Sequence, residues 1–240
     1  MKNLTISKKL ADINNLLVAH FGVPPRNKTR AKPIDMLIAT ILSQNTNDKN
    51  SFQAYLNLRQ RYNTWADLEK DSLKNIEAAI RIAGLANQKA FAIKNILTDL
   101  KNRYHQFSLD HLEKMSDFEI INELTNYEGV GVKTASCVLL FSMHRNICPV
   151  DTHVHRTLNR IGLVDTKIPD KTFIKLNFNF PEGIAHSFHT NLIRLGREFC
   201  LSQSPKCFVC PIKSVCKFKS KTRDKNSDIK EKKFMLLDNV

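Results

Sequence analysis

Four cysteines toward the C-terminal end carry the clearest chemical signal in the sequence: Cys200, Cys207, Cys210 and Cys216. They are separated by six, two and five residues, so four thiolates on one short segment could bind a single metal centre. A zinc ribbon has two CxxC pairs held apart and a zinc finger has histidines at its second knuckle, whereas this segment has one CxxC pair and no later histidine. The spacing favours an iron–sulfur cluster, with structural zinc and then disulfides as the alternatives.

A lysine at the start of a predicted helix is a second reactive group. Gly129-Val130-Gly131 separates two helical stretches, and Lys133 falls in the first turn of the second. The positive end of the helix dipole disfavours a cation there, which enlarges the fraction of free amine able to attack carbon. Glycines and the N–H groups of a first helical turn also suit a phosphate. The alternative is a solubilising lysine after an ordinary glycine turn.

Asp151 is a third candidate, because it lies immediately before a predicted helix that ends at Gly162. Aspartate is a favourable N-cap residue, and capping alone would explain its presence. A capping carboxylate can also face a cleft, where it would stabilise a developing positive charge. We interpret His153 and His155 on the same helix as packed or solvated residues rather than proton carriers.

The elements that position these groups are predicted to be helices, because apolar residues recur at helical spacing and two-residue hairpin turns are absent. The first helix runs from about residue 7 to a stop at Gly22, and the second begins at Pro33. Further helices are predicted over residues 51–61, 72–82, 88–103, 116–126, 132–143, 152–161, 170–177 and 187–200. In the helix that contains Lys133, four other residues are spaced to face the core. These are Ala135, Val138, Leu139 and Ser142. The chain is therefore predicted to be all-α.

Composition points to a polyanionic partner, because the 240 residues carry a net charge of +14. Part of the excess lies in residues 217–233, which we interpret as a solvated basic tail that could touch nucleic acid. No apolar run approaches the ~20 residues of a membrane span, and the N-terminal segment does not resemble a secretory signal. We expect no membrane partner and a cytoplasmic location, associated with the nucleoid if the source is bacterial. In that reducing setting Cys137 and Cys148 are predicted to be small buried apolar side chains.

Four segments resemble, in the same order, those of endonuclease III and the other helix-hairpin-helix DNA glycosylases. E-G-V-G-V-K-T-A-S at 128–136 is similar to the hairpin and the helix after it, and P-V-D-T-H-V-H-R at 149–156 is similar to the segment with the catalytic aspartate. I-L-S-Q-N-T-N-D at 41–48 and I-A-G-L-A-N-Q-K-A at 82–90 match more loosely. With the cysteine spacing, the resemblance covers residues 33–217.

The resemblance implies a helix-hairpin-helix DNA glycosylase fold with two helical domains, a DNA cleft between them and a C-terminal 4Fe–4S loop. Residues 26–145 would form the domain with the hairpin. Residues 1–25 would join 146–217 in the cluster domain, and 218–240 would be a basic tail.

It also implies a bifunctional DNA glycosylase and apurinic/apyrimidinic (AP) lyase that acts as a monomer on double-stranded DNA with a damaged base or an abasic site. Lys133 would be the Schiff-base nucleophile and Asp151 the catalytic carboxylate. The four cysteines would bind a 4Fe–4S cluster, and oxidised pyrimidines are the family's usual substrates. Further DNA contacts are expected from the hairpin, the loop at 43–48 and the cysteine segment. These are Gln44, Asn45, Gly129, Gly131, Lys206 and Lys213.

Two positions depart from the family pattern. The family fills the space vacated by the extruded nucleotide with a glutamine. A gap-free match places Asn45 at that position, and the neighbouring Gln44 is the other candidate for this wedge. Glu128 stands where a proline is frequent and adds negative charge beside the expected phosphate site. The alternatives are a monofunctional glycosylase, which Lys133 argues against, a DNA-binding module without activity, and an electron carrier.

Overall fold

The computed structural model describes residues 2–26, 29–222 and 240, and helices are the only regular secondary structure in these residues. The prediction of an all-α protein is confirmed, and each predicted helix corresponds to an observed one. The α-helices are α1 (Lys2–Phe21), α2 (Pro33–Leu42), α3 (Asp48–Arg61), α4 (Trp65–Lys70), α5 (Leu73–Ile80), α6 (Ala86–Tyr104), α7 (Asp117–Thr125), α8 (Val132–Cys137), α9 (Thr152–Ile161), α10 (Pro169–Asn177) and α11 (Ala185–Glu198). Shorter pieces are the 3₁₀ helices Arg81–Ala83, Asp110–Lys114 and Cys207–Val209 and the π-helix Val138–Ser142.

The spacing of apolar residues does not predict helix α4, because six residues are too few to show a repeat. Its N-terminus nevertheless has a local signal, since Thr64 and Asp67 form a reciprocal capping box. The indole N–H of Trp65 donates to an Asp35 carboxylate oxygen at 2.7 Å and so ties α4 to α2.

The chain divides into two compact units, Met1–Arg26 with Asn146–Lys233 and Asn27–Arg145 with Phe234–Val240. Lys133 belongs to the second unit, and Asp151 and the four cysteines belong to the first. The predicted tail at 218–240 lies outside the described residues except for 218–222 and 240. Within the described part of the chain, no helix has both the length and the apolar character that a membrane span requires.

In the unit that contains Lys133, α2 forms the centre: nine of its ten residues are buried, and α3, α6 and α8 pack against it. The four residues predicted to face the core after Lys133 are all buried: Ala135, Val138, Leu139 and Ser142. The residues between these four are buried as well, so the chain from Thr134 through the π-helix is enclosed on all sides. Cys137 is fully buried there, as expected for a small apolar side chain.

In the unit that contains Asp151, α11 packs between α1 and α9. The end of α1 is held by side chains of α11, because Asn191 donates to the Gly22 carbonyl at 3.0 Å and Arg194 to the Phe21 carbonyl at 3.1 Å. Helices α9 and α11 approach closely at Gly196, where a Cβ atom would lie only 2.9 Å from the Cβ of His153. Cys148 is fully buried in the same unit, also as predicted.

Candidate active site

The glycine turn joins α7 to α8 in a conformation that requires glycine at its first position. Gly129 has φ +82°, and a Cβ atom there would also meet the Ala92 side chain at 3.3 Å. Val130 is buried, whereas Gly129 and Gly131 are exposed, and nothing lies within 4 Å of a Cβ built on Gly131. The backbone of the turn is thus accessible from outside while its valine anchors it inside.

Lys133 occupies the first turn of α8, as predicted, and is half-buried. Gly131 is the N-cap residue and contributes no side-chain cap, so the turn presents backbone groups rather than a carboxylate. Because the residues that follow are buried on all sides, the backbone that bears Lys133 is held by the core of its unit.

In the loop between α2 and α3, the neighbouring residues Gln44 and Asn45 have different surroundings. The Gln44 side-chain amide donates to the Gly129 carbonyl at 2.8 Å and to the Thr134 hydroxyl at 3.3 Å, so it is tied to the hairpin. Asn45 is exposed and has φ 51°, a left-handed conformation in which asparagine is common. Asn47 then begins α3 by accepting from the Asn50 N–H at 2.9 Å. Asn45 is therefore the residue presented outward, and Gln44 is the residue that fixes the loop.

A cavity of about 470 Å³ lies beside this loop. Two of the residues that line it, Leu85 and Lys89, belong to the segment 82–90, but no role is predicted for them from the sequence. Leu85, which lines the cavity, is 48% exposed and has φ 49°, a left-handed backbone conformation that is unusual and strained for a leucine. Lys89, by contrast, is only 3% exposed and donates to two backbone carbonyls. The positive φ of Leu85 cannot be inferred from residue type, but a lysine amid the apolar positions of α6 is visible in the sequence.

Asp151 is half-buried and caps α9, accepting from the Val154 N–H at 2.7 Å. The segment before it is fixed by two side chains that sequence reasoning did not identify. Asn177 accepts from the Cys148 N–H at 2.7 Å and donates to the Cys148 carbonyl at 3.0 Å. The buried His189 ring binds the Pro149 carbonyl at 3.0 Å. One oxygen of the Asp151 carboxylate is thus engaged in the cap of α9. The backbone before Asp151 is held by one side chain of α10 and one of α11.

The His153 imidazole packs beside Asp151, as the interpretation of a packed histidine requires. Burial lowers its pKa below the ordinary value, and the charges of Arg156 and Arg197 lower it further, while Asp151 opposes the shift. An Arg156 N–H group lies 3.1 Å from the His153 Nδ1 atom. These contacts favour a neutral ring at neutral pH and do not supply a proton carrier.

The four cysteines line one cavity together with Arg160, Phe199 and Ile212. None of the six cysteines, all of which lie in the described part of the chain, forms a disulfide. Burial raises the pKa of the Cys210 thiol to about 12, and the other three cysteines of the group act in the same direction, since their negative charge would lie close by. Among the described residues no three His, Cys, Asp or Glu side chains are placed to hold one metal ion. A polynuclear cluster separates its ligands more widely than a single ion does, so the shared cavity is compatible with one.

Two arginines of α9 hold the cysteine segment in place. Arg156 donates to the Cys200 carbonyl at 3.0 Å, and Arg160 donates to the Cys200 sulfur at 3.5 Å and to the Ser202 carbonyl at 2.8 Å. A guanidinium beside a thiolate sulfur offsets negative charge, which suits a four-thiolate centre. Lys213 is exposed on this segment, with its ammonium 3.1 Å from the Phe208 carbonyl, and Lys206 is half-buried.

Comparison with known proteins gives consistent matches. The profile of HhH-GPD superfamily base excision DNA repair proteins matches residues 38–182. The chain is 35% identical over 194 residues to endonuclease III of Thermotoga maritima, covering 81% of this chain and 87% of the relative. It is 38% identical over 173 residues to a candidate DNA glycosylase of Arabidopsis thaliana, covering 71% of this chain and 59% of that relative, so it spans well under two thirds of the plant protein.

The fold is similar to a solved structure as well. A trapped covalent intermediate of endonuclease III with DNA superposes with a TM-score of 0.74 at 25% identity, and the match covers 88% of this chain and 95% of that one.

Proposed function

Because the chain belongs to the HhH-GPD superfamily of base excision DNA repair proteins and to its endonuclease III family, we propose that it removes damaged bases and then cleaves the strand as an AP lyase. It is an enzyme of base excision repair with DNA glycosylase activity, and DNA is its partner. The proposal adds the lyase step, the residues that perform it, and oxidised pyrimidines in duplex DNA as the substrate class. It also includes action as a monomer in the cytoplasm.

The observation that carries the proposal is Lys133, half-buried in the first turn of a helix whose following residues are enclosed. A nucleophile must be held in position while its amine meets the sugar. The Gln44 amide binds the Gly129 carbonyl before that lysine and the Thr134 hydroxyl after it, and so stabilises the chain on both sides. The solved covalent intermediate of endonuclease III with DNA supports nucleophilic chemistry for this family.

In the proposed reaction the Lys133 nitrogen forms a bond to C1′ as the bond from C1′ to the base breaks, and the electron pair of that bond leaves with the base. Opening of the sugar ring, with proton transfer from nitrogen to the ring oxygen, gives a protonated Schiff base. Loss of a C2′ proton then expels the 3′ phosphate oxygen and cleaves the strand, and water releases the lysine. Each step conserves electrons and needs no external oxidant or reductant.

Asp151 is proposed to stabilise the positive charge that the sugar develops as the base departs. Only one carboxylate oxygen is bound by the Val154 N–H in the cap, so the carboxylate keeps acceptor capacity for a second role. The tie from Asn177 and His189 to the preceding residues would keep this group in place during the reaction.

Extrusion of the target nucleotide leaves a gap in the duplex, at a cost of a few kcal/mol that an inserted side chain can offset. Asn45, exposed in a left-handed turn, is the proposed wedge, and Gln44 is assigned to bracing the loop. The accessible hairpin backbone at Gly129 and Gly131 is proposed to contact phosphates, with Lys206 and Lys213 adding charge from the cysteine segment.

The cofactor proposed for the four-cysteine cavity is a 4Fe–4S cluster held by Cys200, Cys207, Cys210 and Cys216. The shared cavity and the Arg160 contact to the Cys200 sulfur fit four thiolates around a metal centre. When bound, the cluster would fix a basic loop that Arg156 and Arg160 already attach to α9.

Borohydride trapping tests the proposed function, because reduction converts a Schiff base into a stable covalent link. Duplex DNA with an abasic site should become attached to the wild-type chain, and Lys133→Gln should abolish both attachment and strand cleavage while undamaged duplex still binds. Lys32→Gln is the matched control, since Lys32 is an exposed lysine at the N-cap of α2 in the same unit. Attachment of the Lys133→Gln variant at the wild-type rate would mean that another amine is the nucleophile.

A further inference from the structure

Lys89 is a buried lysine with an unusual set of partners. Its ammonium donates to the Leu42 carbonyl at 2.9 Å and to the Ala83 carbonyl at 2.8 Å. Leu42 is the last residue of α2, and Ala83 is the last residue of the 3₁₀ helix before Gly84 and Leu85. One side chain therefore joins the ends of two helices that are far apart in the sequence, and each end is followed by an exposed turn.

The electrostatics of this arrangement favour a structural role for the charge. Helix C-termini carry partial negative charge, so a cation placed at two of them is stabilised even without a carboxylate. Burial lowers the pKa of the Lys89 ammonium to about 8. Glu128, the other ionisable side chain that lines the same cavity, is exposed. A buried charge balanced mainly by two helix ends is costly to form, which would be surprising for a residue that only filled space.

The contacts continue from Lys89 to the hairpin. The turn after Leu42 contains Gln44, whose amide binds the Gly129 carbonyl and the Thr134 hydroxyl on either side of Lys133. One turn beyond Lys89 on α6, the Ala92 side chain meets the position where a Cβ of Gly129 would be, at 3.3 Å. The first turns of α6 thus support three segments together: residues 43–47 between α2 and α3 (the Asn45 loop), residues 84–85 before α6 (the Leu85 turn), and the hairpin.

We propose that Lys89 is a positioning residue that holds the Asn45 loop and the Leu85 turn at a fixed separation, so that both can enter a duplex when a nucleotide is extruded. The inference rests on the proposed function, because it assumes that this surface faces DNA. Lys89 itself does not touch the reacting atoms: its two hydrogen bonds are to backbone carbonyls within its own unit.

The test uses a duplex with a tetrahydrofuran abasic analogue, which cannot form a Schiff base, and with 2-aminopurine opposite it to report insertion into the stack by fluorescence. Lys89→Met should lose the fluorescence change and weaken the preference for the analogue over undamaged duplex by about tenfold or more, because the insertion geometry is lost. Affinity for undamaged duplex should be unchanged, since phosphate contacts remain. Lys89→Arg, which keeps a cation and donors, should restore part of the signal.

Lys94→Met is the matched control. Lys94 lies on the same helix and also donates to two carbonyls, those of Glu69 and Asp71 at 2.5 and 2.6 Å, but it does not line the cavity beside the Asn45 loop. This variant should behave as wild type in both assays. If Lys89→Met and Lys94→Met both behave as wild type in the two assays, or both lose the signal to the same extent, Lys89 has no special positioning role. Wild-type protein without preference for the analogue would instead count against the proposed function.

A measurement on the wild-type chain keeps the inference testable should Lys89→Met fail to fold. The backbone amide of Gln44 donates to the Ile41 carbonyl and that of Gly84 to the Arg81 carbonyl. Because one ammonium holds both turns, these two amides should exchange hydrogen with a common opening free energy. Clearly different opening free energies for the two turns would overturn the proposal.

Discussion

At the scale of single residues, the two proposed catalytic groups are positioned by different means. Lys133 is held by α8, because the residues that follow it in this helix and in the π-helix are buried. Asp151 is held by its hydrogen bond from the Val154 N–H and by the bonds that fix the segment before it. Substitution of Asp151 can therefore be designed to keep the cap, and a conservative change separates chemistry from folding.

Asp151→Asn should fold normally but excise bases at least about 100-fold more slowly, because a neutral amide cannot stabilise a cationic sugar as a carboxylate does. Asparagine retains a side-chain oxygen that can accept from the Val154 N–H, so the melting temperature should change little. Single-turnover excision from an oxidised-pyrimidine duplex and thermal unfolding measure the two effects. Excision at the wild-type rate would remove Asp151 from the mechanism.

His153 gives a prediction of pH dependence at the same scale. Burial is the main cause that lowers the folded-state pKa of His153. The charges of Arg156 and Arg197 lower it too, whereas that of Asp151 raises it. The unfolded chain therefore binds the proton more readily than the folded one. The stabilising contribution of the neutral ring is therefore complete above the unfolded pKa of about 6.5 and is lost as pH falls toward the folded value. The free energy of unfolding, measured by denaturant between neutral pH and mildly acidic pH, should fall less steeply for His153→Gln than for wild type. Parallel pH profiles for the two proteins would contradict this.

At the scale of elements, short segments are fixed by side chains from helices distant in the sequence. The Asn45 loop is held by Lys89 and by the bond from Gln44 to the hairpin, and the cysteine segment is held by Arg156 and Arg160 of α9. Such segments keep a defined shape without regular secondary structure, as the DNA contacts proposed for each of them require.

The cysteine segment predicts a metal content that can be measured. Anaerobically purified protein should be coloured and contain about four iron atoms per chain. Cys200→Ser should lose much of the iron and bind undamaged duplex more weakly, because the loop that carries Lys206 and Lys213 would lose its support.

Cys137→Ser is the control, since Cys137 is buried in the other unit and should leave the iron content unchanged. Stoichiometric zinc without iron in the wild-type protein would contradict the assignment of a cluster.

At the scale of the whole molecule, the net charge of +14 predicts strongly salt-dependent DNA binding. Each lysine that neutralises a phosphate contributes about 0.9 to the slope of log affinity against log salt. Replacing both Lys206 and Lys213 with glutamine should therefore lower the slope by about 1.8, measured on undamaged duplex.

The control replaces Lys70 and Lys74, two exposed lysines of α4 and α5, with glutamine. It tests whether the removal of any two positive charges lowers the salt slope equally. An equal loss of slope in both double variants would show that the cysteine segment has no special place in DNA binding.

Features that depend on residues close together in the chain could be predicted from the sequence. Helical spacing of apolar residues, the stops at Gly22 and Gly162 and the Asp151 cap were all predicted and are all observed. These features follow from contacts three or four residues apart and from the φ that glycine allows, so residue order is sufficient to specify them.

Tertiary structure decided the contacts between distant segments. Three such contacts have no periodic signature: the hydrogen bond from Gln44 to Gly129, 85 positions apart, the enclosure of the chain from Thr134 to Ser142, and the burial of Lys89 between two helix ends. Whether an amide braces a hairpin or faces outward depends on which carbonyl the packed helices bring within 3 Å of it. That is why the sequence left Gln44 and Asn45 as two candidates for the wedge, whereas in the structure Gln44 is bound to the hairpin and Asn45 is exposed.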